Sequence, residues 1–139
     1  MSSRRKTDHR GDEPIRVLVC NRYELFRDGI RALLEKSARM EVVGEAANPK
    51  QAIALIRQLQ PDVVLMDVMT RGAGGSAAIR RIKHINPNVK VLILSLADDE
   101  SAVSVCLQAG AAGYIRKDGS PWKLRGAIST ACRKRVRAA

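Results

Sequence analysis

Apolar residues recur along this chain as short runs, each followed by a stretch with helical spacing. Ile15-Arg-Val-Leu-Val-Cys20 is the first run, rich in β-branched residues and long enough for a strand. Behind it, Phe26, Ile30, Leu33 and Leu34 fall on one helical face. Glu41-Val-Val-Gly-Glu-Ala46 predicts a second strand. Its helix starts near Pro49 and carries Ala52, Ile53, Ile56 and Leu59. Proline suits a first helical turn, where its missing N–H had no intrahelical partner. Asp62-Val-Val-Leu-Met-Asp67 predicts the third strand, and Ile79, Ile82 and Ile85 mark the helix after it. Val89-Lys-Val-Leu-Ile-Leu94 predicts the fourth strand. Asp98, Asp99 and Glu100 place negative charge where a helix dipole favours it. Ala112-Gly-Tyr-Ile115 is the fifth strand, and Ser120-Pro121 opens a helix carrying Trp122, Leu124, Ile128, Ala131 and Cys132.

Strands three and four show almost no polar alternation. Strands buried on both faces read this way, as in a parallel sheet covered by helices. Five strand-helix units therefore predict an α/β fold: a flavodoxin-like, doubly wound, five-stranded parallel sheet with helices on both faces. Right-handed crossovers favour the strand order 2-1-3-4-5. The expected organisation is a mobile leader over 1–13, one domain over 14–133 and a basic end over 134–139.

Composition narrows the function classes. The chain has 139 residues, room for one core, and aromatics are only 3%, so that core must be aliphatic. Its net charge of +11 divides into +1 over residues 1–14, +6 over 15–132 and +4 over 133–139. Such a balance attracts nucleic acid or acidic partners, yet it also fits a helix ending in cations. No helix-turn-helix fits in the last seven residues, so nucleic acid is expected to bind only weakly or through an output domain absent from this chain. No apolar run approaches a membrane span, and no signal-peptide pattern opens the chain. Cys20, Cys106 and Cys132 lack C-x-x-C spacing, which leaves a reducing cytoplasm as the expected compartment. There is no G-x-x-x-x-G-K-[ST] loop, so nucleotide hydrolysis is poorly supported.

In open α/β sheets, sites form at the carboxyl ends of strands, near the switch between strands one and three. Strand one ends at Asn21-Arg22, strand three at Asp67, strand four at Ser95 and strand five at Lys117. Asp67 is the informative member. It follows four apolar residues, and a carboxylate there needs positive or hydrogen-bonding partners, which Lys117 is placed to supply. A satisfied salt bridge with no chemistry would also fit.

Several stretches carry a family resemblance: I-R-V-L-V, F-R-D-G-I-R-A-L-L, V-V-G-E-A, P-D-V-V-L-M-D-V, V-L-I-L-S and A-G-A-A-G-Y-I-R-K-D. Over residues 15–132 the chain resembles the receiver domain of bacterial two-component response regulators, with the CheY-like fold. The A-G-A-A-G-Y…K-D form is similar to receivers of the LuxR/NarL type. The resemblance implies that Asp67 is the phospho-acceptor, Ser95 the switch hydroxyl, Lys117 the lysine that pairs with the phosphoryl group and Tyr114 the aromatic switch. It also implies a sensor histidine kinase or another signalling protein as partner, homodimer formation, and no enzyme activity beyond self-catalysed phosphotransfer to Asp67. Contacts would use the face around Leu96, Tyr114 and Trp122.

Two departures qualify this. The family's paired acidic residues after strand one, which hold Mg²⁺ with the acceptor, are here Asn21 and Arg22. Magnesium wants oxygen ligands in near-octahedral geometry, and Arg22 offers none. No cofactor is therefore expected. Magnesium would bind only if Asp67, Asn21 and the Met69 backbone still suffice. The Arg22 guanidinium is expected to fill the ion's place and pair with Asp67; the alternative points it into solvent. The loop after the acceptor reads Thr70-Arg-Gly-Ala-Gly-Gly75, less pre-organised than the usual Met-Pro-Gly-x-Asp-Gly. Two readings stay open. One is an atypical receiver with impaired Mg²⁺-dependent phosphorylation, working by protein-protein contact. The other is a conventional receiver, phosphorylated on Asp67 by a histidine kinase and controlling transcription through a helix-turn-helix output domain.

Overall fold

The computed structural model describes residues 13–67, 74–95, 100–116 and 121–138. Strands β1 (Ile15–Cys20), β2 (Met40–Ala46), β3 (Val63–Asp67), β4 (Lys90–Ser95) and β5 (Gly113–Arg116) alternate with helices α1 (Glu24–Leu34), α2 (Pro49–Leu59), α3 (Gly74–Ile85), α4 (Glu100–Gln108) and α5 (Pro121–Ala138). The strands form one parallel sheet in the order β2-β1-β3-β4-β5. The flavodoxin-like order expected from the sequence is thus the one formed.

Period-two alternation splits the core into two layers. Val17 and Val19 of β1, Val63 and Leu65 of β3, and Leu92 and Leu94 of β4 pack with Ile30 and Leu34 of α1 and Leu124 and Ile128 of α5. Leu18, Val64, Met66, Val91 and Ile93 face the other way, onto Ala52 and Ile56 of α2, Ile79 and Ile82 of α3, and Cys106 of α4. Both faces of β3 and β4 are covered, which is why their sequences show no polar alternation.

Strand limits shift by a residue from the apolar runs. Asp62 does not open β3; it is buried, and its Oδ2 accepts the Arg16 backbone N–H at 2.9 Å. The carboxylate thus ties the entry of β3 to β1. Helix α2 begins as its sequence suggests. Asn48 is the N-cap, with Oδ1 accepting the Gln51 N–H at 2.9 Å, while Gln51 Oε1 accepts the Ala47 N–H at 2.8 Å. These reciprocal bonds satisfy donors that a helix start would otherwise leave open. Helix α5 runs past Cys132 to Ala138, so most of the expected basic end continues the helix. Asp98 and Asp99 lie outside the described residues.

Candidate functional site

Parallel pairing aligns the ends of β1 and β3. Cys20 is the register partner of Met66, so the residues that follow, Asn21 and Asp67, meet at the carboxyl edge of the sheet. Asn21 is only 3% exposed. Its Nδ2 donates to Asp67 Oδ2 at 2.5 Å, and its Oδ1 accepts the Tyr23 backbone N–H at 2.7 Å. This orientation of the amide is dictated by its neighbours. Turned over, it would set Oδ1 against the carboxylate and NH₂ against an N–H. The Asn21 backbone is held too: its N–H donates to Ala46 O at 3.0 Å, and its carbonyl accepts from Arg27 Nη1 at 2.7 Å. Each polar group of Asn21 has a partner. Asp67 Oδ1 is also shielded from solvent.

Arg22 is not where the sequence reading put it. The residue is exposed, and its guanidinium lies over the Tyr23 ring, 5.4 Å from the centroid. The expected ion pair with Asp67 is not formed; the partner from this loop is the Asn21 carboxamide. Stacking on an aromatic face leaves the guanidinium hydrated. Inserting it beside Asp67 would require taking it out of water.

The other expected residues are distributed as follows. Ser95 ends β4, one position beyond Leu94, the register partner of Asp67. Tyr114 lies on β5 opposite Ile93 and is 50% exposed. Trp122 stands on the first turn of α5. Lys117, Met69, Leu96 and the loop from Thr70 to Ala73 lie outside the described residues.

A neighbouring charge cluster was not anticipated. Glu45, near the end of β2, receives Arg27 Nε on Oε1 at 3.0 Å and Arg31 Nε on Oε2 at 2.8 Å. Arg31 also reaches Glu35 at 3.1 Å. Desolvation opposes ionisation of Glu45, but the hydrogen bonds from Arg31 and Arg27 outweigh it and hold the carboxyl below its ordinary range. The same bond to Glu45 raises Arg31. The i,i+4 spacing of Arg27 and Arg31 on α1 was visible in sequence, but their shared acceptor on β2 was not.

Beside Asp67, the Cys20 thiol is pushed up to about 12, chiefly by burial and then by the Asp67 charge, with Arg27 pulling the other way. It is a packed side chain, not a nucleophile. Among the described residues, no group of three or more His, Cys, Asp or Glu side chains could hold a metal ion, and no helix is long and apolar enough to cross a membrane. On α1, Tyr23, Leu25, Phe26, Gly29, Ile30 and Leu33 line an open apolar groove of about 650 Å³, with Leu25 83% exposed.

Comparison with known proteins agrees with this fold. Residues 17–129 match the model of the response regulator receiver domain. The response regulator GacA of Pseudomonas viridiflava is 40% identical over 103 residues, which is 74% of this chain and 48% of that protein. The transcriptional regulatory protein DegU of Brevibacillus brevis is 36% identical over 77% of this chain and 45% of its own length. The chain therefore spans about half the length of these relatives. Among solved structures, a LuxR-family two-component response regulator from Aurantimonas sp. SI85-9A1 superposes with a TM-score of 0.81 at 30% identity, covering 88% of this chain and 87% of that one. The NarL signal receiver domain of Mycobacterium tuberculosis gives 0.80 at 32% identity, covering 87% and 98%.

Proposed function

Given that the chain belongs to the response regulator receiver domain family and so to two-component signalling, we propose that it is an atypical receiver with impaired Mg²⁺-dependent phosphorylation of Asp67, passing its signal by protein-protein contact. The observation that carries this reading is the bond from Asn21 Nδ2 to Asp67 Oδ2. A magnesium ion in this pocket would need oxygen donors where Asn21 presents an N–H. The Asn21 oxygen is already engaged by the Tyr23 N–H, and Arg22 contributes positive charge and no lone pair. The donors described here do not fit the ion, and no step is assigned to it. In sequence, Asp67 matches the family's acceptor position, and Ser95, Tyr114 and Lys117 match its switching residues. The exposed apolar groove on α1 supports a binding role, since such patches are commonly covered by partners. The partner class is a sensor histidine kinase or another signalling protein, and the compartment is the cytoplasm. Any output on DNA would belong to a segment beyond this chain.

The second reading, a conventional receiver, is favoured by Asp67 itself, in place at the end of β3. Intact mass after incubation with acetyl phosphate, with and without Mg²⁺, separates the two. In a conventional receiver an Asp67 oxygen attacks phosphorus and acetate leaves, adding one phosphoryl group that Asp67→Asn abolishes. The atypical reading expects no gain in the wild type, and a gain in the Asn21→Asp, Arg22→Asp double variant. A Mg²⁺-dependent gain in the wild type overturns it.

A further inference from the structure

We propose that Arg27, clamped by Glu45, is a positioning residue for the acceptor pocket, holding the Asn21 carboxamide on Asp67. The inference rests on the reading of Asp67 as the acceptor position. It starts from how Asn21 is held. Two of its contacts beyond Asp67 go to backbone, Ala46 O and the Tyr23 N–H. The third is a side chain, Arg27 Nη1, which donates to the Asn21 carbonyl at 2.7 Å. The same guanidinium gives its Nε to Glu45 at 3.0 Å, so it bridges the end of β2 and the loop after β1 from one turn of α1. A planar fork can satisfy two acceptors at fixed separation, which a point-charge ammonium does less well. With only 15% of its side chain exposed, Arg27 has little freedom to leave.

Arg31 supplies an internal control. It binds the same Glu45 carboxylate at 2.8 Å, one helical turn on, but its side chain donates to Glu45, Glu35 and the Val42 carbonyl, not to Asn21. If the cluster merely docks α1 onto β2, losing either arginine has the same consequence at Asn21. If Arg27 positions the pocket, only its loss moves the carboxamide.

The test is the side-chain NH₂ signal of Asn21 in the ¹H–¹⁵N spectrum of uniformly labelled, unphosphorylated protein, assigned by its disappearance in Asn21→Ala. Bonding to a carboxylate shifts one proton downfield and slows its exchange with solvent. Asp67→Asn should move that proton, which ties the signal to this contact. Arg27→Gln should return it toward the position of an exposed asparagine and speed exchange by about tenfold or more, the scale of a lost hydrogen bond to a charged acceptor. Glu45→Gln should act in the same direction to a smaller extent, and Arg31→Gln should leave the signal in place. Should Arg27→Gln fail to fold, Arg27→Lys is compared with Arg31→Lys instead. An unchanged Asn21 signal in the Arg27 variant, or equal changes in the Arg27 and Arg31 variants, overturns the proposal. Because the signal is read without phosphate or metal, it stands or falls separately from the acetyl phosphate experiment.

Discussion

Replacing Asn21 by aspartate should turn a hydrogen-bonded pair into a repelling one that a divalent cation can rescue. Asn21 Nδ2 and Asp67 Oδ2 are 2.5 Å apart, and Asn21 is only 3% exposed. The substitution removes a hydrogen bond to a charged acceptor, worth about 1.5–3 kcal/mol. It also places two carboxylates in contact, a repulsion of about 4 kcal/mol at 4 Å and an effective dielectric constant near 20. The Tyr23 N–H keeps an acceptor, since the new carboxylate can serve it as Oδ1 does now. Relaxation and proton sharing will recover part of the loss, so a net destabilisation of about 2–4 kcal/mol is expected near pH 8. The coupled carboxyl has its folded pKa raised, so the deficit should grow as pH rises above the unfolded carboxylate range and shrink below about pH 5. Magnesium binding between the two carboxylates should return about 2.7 kcal/mol at a hundredfold excess over Kd. Urea denaturation of wild type and variant, in EDTA and in excess magnesium chloride, measures all of this. The wild type should respond little to the ion. A variant as stable as wild type in EDTA, or a wild type stabilised by magnesium as strongly as the variant, would refute the account of the pocket.

Other expectations can be checked on the same material. Glu45 has a lowered pKa, so its contribution should be complete above the unfolded carboxylate range and fade as pH falls through the folded value; Glu45→Gln should lose about 1 kcal/mol at pH 7 and little at pH 3 by urea titration. Cys20, Cys106 and Cys132 are all buried, and Cys20 is pushed up to about 12, so a thiol reagent at pH 8 should label them only after denaturation. Gly110 has φ +121°, and an added Cβ would sit 3.1 Å from Lys83 Cγ. Gly110→Ala should therefore cost about 1–3 kcal/mol in thermal or urea unfolding, and a neutral result would show that the α4–β5 turn can relax.

Much of this fold was legible because a parallel sheet leaves a coarse signature. Strands buried on both faces need uninterrupted apolar runs, and the covering helices need one apolar face each. Their alternation fixes the fold class, and crossover handedness then leaves few strand orders. Limits were less legible, because burial and ladder pairing do not end at the same residue. Asp62 shows why: its side chain, not its place in an apolar run, ties β3 to the Arg16 N–H. The meeting of Asn21 and Asp67 followed from topology alone, since both stand at the ends of adjacent strands.

Which residue would approach Asp67 was not settled by topology, and the reason is physical. Opposite charge made Arg22 the obvious candidate, but attraction has to exceed the cost of stripping water from a guanidinium. Asn21 faces a smaller cost, because its carboxamide is neutral and sits on the short stretch already anchored to Ala46. Arg22, one residue on, can stay hydrated and still gain contact with the Tyr23 ring. From α1, positive charge reaches this pocket's surroundings indirectly. Arg27 holds the backbone of Asn21, while its guanidinium is compensated by Glu45 rather than Asp67. That pairing joins residues 18 positions apart on a helix and a strand, a distance at which sequence spacing carries no signal. From the loop after β1, then, the Asp67 carboxylate is met by a neutral donor, and the backbone of that donor is held by the Arg27–Glu45 pair.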